Sequence, residues 1–254
     1  MRTVDAAPQR RKLKRYREGR SNRPSFSMSN HPRLVLKNVP LHIVQRGNNR
    51  NPCFFSRTDY LVYLSMLAQA ASESGCRVHA YVLMTNHVHI LASPDEVTSP
   101  AGMMKGLGQR YVKYVNRRYG RNGTLWQGRY RSCLVDNEYY FMVCQRYVEL
   151  NPVRAGLARD PTEYEWSSYR SNAYGSINRT ITPHCIYTGL GGQELERQSN
   201  YRALFMEAIP ESSLAQVRDA TNRNSAFGSM HFLDEIEKTF GRDLTRRNLK
   251  RKRD

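Results

Sequence analysis

The sequence predicts an α+β fold: a ferredoxin-like, split βαβ antiparallel sheet with helices on one face, an added helix bearing a candidate tyrosine, and a small α-helical C-terminal region. Two observations carry this. Apolar periodicity switches between two and three-to-four residues in the order strand, helix, strand, strand, helix, strand, helix. Residues suited to caps and turns fall at the switches.

Taken in order, "RLVLKNVPLHIVQRG" holds a first strand, Leu41-His42-Ile43-Val44, closing on Gly47. In "SRTDYLVYLSMLAQAASESG", Tyr60, Tyr63, Leu64, Leu67, Ala70 and Ala71 line one helical face. Ser56 or Thr58 can cap its start and Gly75 its end. "CRVHAYVLM" and "HVHILAS" are two strands separated by Thr85-Asn86, and "AGMMKGLGQRYVKYVNRRYG" is an amphipathic helix ending at Gly120. "TLWQGRYRSCLV" is expected to be the fourth strand. "NEYYFMVCQRYVEL" is a third helix, capped near Asp136 or Asn137 and ended by Asn151-Pro152, since a residue before proline disfavours helical geometry. After Arg159 the chain is loop-rich and aromatic, with helical stretches near Gln193–Ala208 and Ser212–Phe240 broken at "NRNSAFGS". The expected division is a basic arm (1–33), a core domain (34–159), a loop-rich then helical C-terminal domain (160–241) and a basic tail (242–254).

Composition limits the partners. The net charge is +18, with 39% apolar residues and no apolar run long enough for a bilayer. Five scattered cysteines without CxxC spacing fit a reducing cytoplasm better than a disulfide scaffold or zinc knuckle. The basic N-terminus has no apolar stretch after it, so no secretory signal is expected. Ten Lys/Arg against two acids in residues 1–33, and seven against two in 242–254, make the tails net +8 and +5. Such arms bind polyanions without sequence preference. Ala101 to Val135 adds eight Lys/Arg and no acid. Arg110, Lys113, Arg117 and Arg121 form a helical stripe, and Arg129 and Arg131 alternate about Tyr130 on the fourth strand. These, with Arg46 and Arg50 in "RGNNR", are the candidate nucleic-acid contacts. Tyr114, Tyr119 and Trp126 suit either base stacking or the core.

The chemistry centres on "MTNHVHIL". Alternation puts His87 and His89 on one face of a strand about 7 Å apart, within reach of one ion, with Val88 in the opposite layer. Two imidazoles do not complete a coordination sphere. The third helix supplies candidates: Tyr147 and Asn151 stand four apart on one face. A phenol and an amide over a histidine pair suit phosphoryl transfer, with an ion on a phosphate oxygen and the tyrosine oxygen attacking phosphorus. Tyr140, seven residues earlier, is a rival nucleophile.

"HAYVLMTNHVHIL", "LWQGRYRSCLV" and "RYVELNPVRAGL", in this order, resemble the single-tyrosine HUH transposases (IS200-like), in particular the REP-associated tyrosine transposase branch. The resemblance runs from about Pro32 to Tyr169. It implies an HUH endonuclease core that nicks and joins single-stranded or hairpin DNA near repeats. It implies that His87 and His89 bind Mg²⁺ or Mn²⁺ and that Tyr147 forms a 5′-phosphotyrosine, leaving a free 3′-hydroxyl. Asn151 falls where the family completes its metal site; many relatives carry Gln or an acid there, so a neutral Asn implies weaker binding. A cytoplasmic, nucleoid-associated monomer or homodimer is expected, with no membrane partner. The alternative is a non-enzymatic DNA- or RNA-binding, repeat-regulating protein, for which exposed aromatics on the central strands would be needed. A two-tyrosine relaxase would need a close tyrosine pair, and Tyr139-Tyr140 is the nearby candidate.

Overall fold

The computed structural model describes residues 33–136 and 138–244. The basic N-terminal arm up to residue 32, the tail from residue 245 and the cap candidate Asn137 lie outside the described residues. Strand β1 (Leu41–Arg46) leads through a 3-10 turn at Asn48–Arg50 to helix α1 (Arg57–Ser74). Strands β2 (Cys76–Met84) and β3 (His87–Pro94), helix α2 (Ser99–Tyr119) and strand β4 (Arg131–Val135) follow. Helix α3 (Glu138–Glu149) and the short α4 (Asn151–Arg154) come next. The remainder comprises α5 (Tyr169–Tyr174), α6 (Cys185–Thr188), α7 (Glu194–Leu204), α8 (Glu211–Arg223), β5 (Ala226–Phe227) and α9 (Met230–Phe240).

The sheet order is β2-β3-β1-β4-β5, antiparallel through its first four strands, with β5 parallel to β4. The first four strands have the ferredoxin-like order that the periodicity predicts. Helices α1 and α2 cover one face: Tyr63, Leu67, Met103, Leu107 and Tyr111 pack against Ile43, Val88 and Ile90. The added helix α3 and helix α8 cover the other, where Phe141, Tyr147, Val148, Leu214 and Val217 meet Val82, Leu91 and Cys133. Local chemistry sets the helix ends. Asp59 Oδ2 accepts from the backbone N–H groups of Phe55 and Ser56 (2.8 and 2.9 Å), so the α1 cap lies at Ser56 rather than Thr58. Gly75 and Gly120 close α1 and α2 in the left-handed region, at φ 67° and 59°.

The fourth strand is shorter than the sequence predicts. Gly128, at φ 64°, accompanies a turn in which its N–H donates to the Trp126 carbonyl (3.0 Å), so the segment gives an isolated bridge between Trp126 and Gly47 and the continuous ladder starts at Arg131. Arg129 and Arg131 therefore do not alternate on one strand. Trp126 is buried, and the Tyr114 and Tyr119 hydroxyls each donate to the buried carboxylate of Asp59 (2.8 Å), so these aromatics serve the core.

The chain beyond Arg159 is built into the same sheet. Segment 164–168 runs along the outer edge of β2, with Leu83 N–H donating to the Trp166 carbonyl (2.9 Å) and Ser168 N–H to that of Tyr81 (3.0 Å). This covers an edge that would otherwise present unpaired backbone. Glu149, the last residue of α3, is fully buried: Ser168 Oγ (2.5 Å) and Asn172 Nδ2 (2.8 Å) donate to its Oε1, and the Tyr201 hydroxyl bonds its Oε2 (2.6 Å). Burial pushes this carboxyl up to about 7 against those hydrogen bonds. The network ties the end of α3 to α5 and α7. Among the described residues, no helix is long and apolar enough to cross a membrane.

Candidate active site

Strand pairing assembles three histidines rather than two. In the antiparallel register Val44 faces His89 and Arg46 faces His87. The His87 and His89 rings stand 5.0 Å apart between centroids, closer than the backbone repeat alone suggests. His42, on β1, stacks on His89 at 5.1 Å with the planes only 12° apart. His42 Nε2 lies 2.8 Å from His89 Nδ1, and His42 Nδ1 lies 2.8 Å from Thr221 Oγ1 on α8. His87 Nδ1 donates to Asn86 Oδ1 at 2.6 Å, since an amide oxygen only accepts.

Electrostatics keep these rings neutral. Burial lowers His42 to about 3 and His87 to about 4, and the Arg46 guanidinium adds to the shift at His87. His89 is held well below its usual range by burial and then by its neighbours His42, His87 and Arg46. A neutral imidazole is the form that binds a metal.

Tyr147 reaches this cluster from α3. Its ring stands edge-on to His42 at 5.6 Å and to His89 at 5.8 Å. It is 6% exposed, and burial raises its pKa. Arg154, on α4 one residue before the Ala155-Gly156 turn, places its guanidinium 5.0 Å from the Tyr147 ring centre and opposes that rise, as does Arg218 from α8. Tyr140 instead packs on Phe227 at 5.0 Å and on Tyr139 at 5.3 Å. Helix α3 stops at Glu149 and α4 restarts at Asn151 with Pro152 in its first turn. The Asn151 amide bends back so that Nδ2 donates to the Tyr147 carbonyl (2.9 Å), leaving its oxygen as the atom able to ligate.

These residues fit a divalent ion in a limited way. His87 and His89 each use Nδ1 in a hydrogen bond and keep Nε2 for a ligand. Among the described residues, no three His, Cys, Asp or Glu side chains form a set that could hold a metal. His42 does not make a third ligand, because both its nitrogens are engaged. The atoms left to a ligand are the two Nε2 nitrogens, and the Asn151 oxygen is the third that the sequence offers.

The basic residues divide. Arg46 lies beside the histidines, and its pKa is lowered by burial and then by the nearby charges of Arg50 and Arg131. Arg131 also donates to Asn222 Oδ1 (2.7 Å), and Arg50 is exposed in the 3-10 turn. Lys113 and Arg117 are exposed on α2, Arg110 pairs with Glu73 (3.0 Å), and Arg121 stands 5.5 Å over the Phe55 ring. Helix α2 covers the face of the sheet opposite α3, so the stripe is separated from the histidines by the sheet. Arg129 is exposed in the loop before β4. The sequence reading missed His42, Arg154, Arg218 and Thr221. Arg154 had a local signal, standing two turns beyond Tyr147; the others are joined to the site only through tertiary packing.

Comparison with known families matches residues 35–151 to the family described as "Transposase IS200 like". Among solved structures, a REP-associated tyrosine transposase bound to a REP hairpin aligns at 16% identity with TM-score 0.49, covering 62% of this chain and 93% of that one. A provisionally named transposase from Deinococcus radiodurans R1 aligns at 19% identity with TM-score 0.33, covering 47% and 95%. No curated protein matches the chain. The family match supports an enzyme that cuts and joins DNA, and its matched segment ends at Asn151, so α5 to α9 lie beyond it.

Proposed function

We propose that this chain nicks and joins single-stranded DNA, at repeat or hairpin sites, in a metal-dependent reaction through a 5′-phosphotyrosine at Tyr147, a reading supported by the match of residues 35–151 to the IS200-like transposase family. The observation that carries this is the edge-on seat of Tyr147 against His42 and His89, under the Arg154 guanidinium. Tyr147 Oη attacks phosphorus; the P–O3′ bond breaks and the phosphate stays on the tyrosine. The phenol loses one proton and the departing 3′-oxygen gains one. Attack by another 3′-hydroxyl reverses the step and joins strands, with no net change in the number of phosphodiester bonds. His87 and His89, with Asn151, would hold a divalent ion, whose chemistry when bound would be to neutralise charge on the scissile phosphate. Arg154 eases loss of the phenol proton against the cost of burial, and Arg46 stands where it can attract the phosphate backbone.

The rival, a base-stacking nucleic-acid module, needs an open sheet face with exposed aromatics. Here both faces of the sheet are covered and the candidate aromatics are packed. The test is cleavage of a labelled single-stranded hairpin oligonucleotide with Mn²⁺. His87→Ala and His89→Ala each lose cleavage while retaining DNA binding. Full activity of the parent protein in EDTA refutes the metal requirement.

A further inference from the structure

Thr221 lies on α8, far beyond the family-matched segment, yet it touches the histidine cluster. Its hydroxyl donates to the Val217 carbonyl at 2.8 Å, and a carbonyl can only accept. The single hydroxyl hydrogen is then spent. Thr221 Oγ1 can only accept from His42 Nδ1, 2.8 Å away, so His42 carries its hydrogen on Nδ1. The Cys133 thiol, 3.3 Å from the same oxygen, is compatible as a second donor.

His42 is 1% exposed, and its two partners are a hydroxyl and an imidazole, with no carboxylate to sustain a cation. A neutral His42 protonated on Nδ1 has a lone pair on Nε2. That nitrogen lies 2.8 Å from His89 Nδ1, a gap that holds one hydrogen, so His89 donates it. A neutral His89 protonated on Nδ1 has its lone pair on Nε2.

We infer that Thr221 and His42 are positioning residues, and that the relay from the Val217 carbonyl through Thr221 and His42 fixes His89 in the Nδ1–H tautomer with Nε2 open to a divalent ion. The opposite polarity is inert. If Thr221 donated to His42 instead, His42 would donate to His89, and a hydrogen would occupy the ligating nitrogen. Outer partners of this kind are how proteins orient a histidine ligand. The relay brings the C-terminal region into the chemistry: α8 sets which nitrogen of a β3 histidine is free. Its consequence for the reaction rests on the metal-dependent reading above, but the tautomer itself needs no metal.

The test is long-range ¹H–¹⁵N correlation of the histidine rings in the full-length, metal-free protein, followed by calorimetric titration with Mn²⁺. In the parent, His89 Nδ1 is the protonated nitrogen and Nε2 the bare one. Thr221→Val removes the acceptor; His42 moves its hydrogen to Nε2, His89 switches to the Nε2–H form, and Mn²⁺ affinity falls about tenfold or more. Thr221→Ser keeps the hydroxyl and restores both. Finding Nε2–H on His89 in the parent protein overturns the relay, as does a folded Thr221→Val protein that keeps the Nδ1–H tautomer and parental Mn²⁺ affinity. A parent that shows the Nδ1–H tautomer but binds no Mn²⁺ upholds the relay and counts against the metal-dependent function.

Discussion

Acidification offers a quantitative test of whether the three histidines of the cluster, and the buried His79 on β2, are neutral. Burial lowers His42 and His79 to about 3 and His87 to about 4, and puts His89 well below its usual value of 6.5. The unfolded chain therefore takes up protons first as pH falls. Stability is fully present above about pH 6.5 and is lost progressively below it, down to the folded values. Between about pH 7.5 and 5.5 each of these four histidines costs about 1.3 kcal/mol, or about 5 kcal/mol together. Glu149 opposes them. Its folded pKa is raised from 4.5 to about 7, so acid returns about 2 kcal/mol by protonating the folded carboxyl first. The net loss is about 3 kcal/mol, which for a domain of this size lowers Tm by about 6–12 °C. Asp59, held below 3.8 by its hydrogen bonds, enters only at lower pH, and His184 adds to the loss with the same sign. The assay is calorimetric unfolding at the two pH values in metal-free buffer. Glu149→Gln removes the opposing contribution and enlarges the drop. A Tm that stays flat or rises on acidification refutes the reasoning, because the folded imidazoles would then be taking up protons as readily as free ones.

Two further perturbations address the reaction and its substrate. Arg154→Gln removes the nearest charge lowering Tyr147, so the pH–rate profile of cleavage moves to higher pH and the rate at neutral pH falls about tenfold; an unchanged profile removes Arg154 from that role. Arg46→Ala weakens single-stranded DNA binding and lowers the salt slope by about one counterion, whereas Arg110→Ala, whose partner is Glu73, leaves the slope unchanged. Equal losses from both would place DNA over α2 as well.

Much of the fold is legible because each early element buries one face and ends on a residue with a backbone reason to end it. Gly75 and Gly120 illustrate this, and so does Pro152 after α3. Strand β4 is overread because aromatic and β-branched residues continue the alternation through Gly128, where the chain turns. Strand β5 has only two residues, held through backbone bonds such as Leu134 N–H to the Ser225 carbonyl, and leaves no periodic trace. The site divides in the same way. His87, His89, Tyr147 and Asn151 stand at spacings of two and four, which strand and helix geometry convert directly into proximity. His42 and Thr221 touch across 179 positions, and Glu149 meets Tyr201 across 52, so packing alone reveals them.

The central claim is that Tyr147 is the nucleophile. It is tested most directly by incubating the full chain with a single-stranded repeat-hairpin oligonucleotide and Mn²⁺, digesting the product and locating the nucleotide adduct by mass spectrometry. The account predicts a 5′-phosphodiester on the peptide containing Tyr147 and its loss in Tyr147→Phe, with DNA binding intact. An adduct on Tyr140, or an undiminished adduct in Tyr147→Phe, contradicts it.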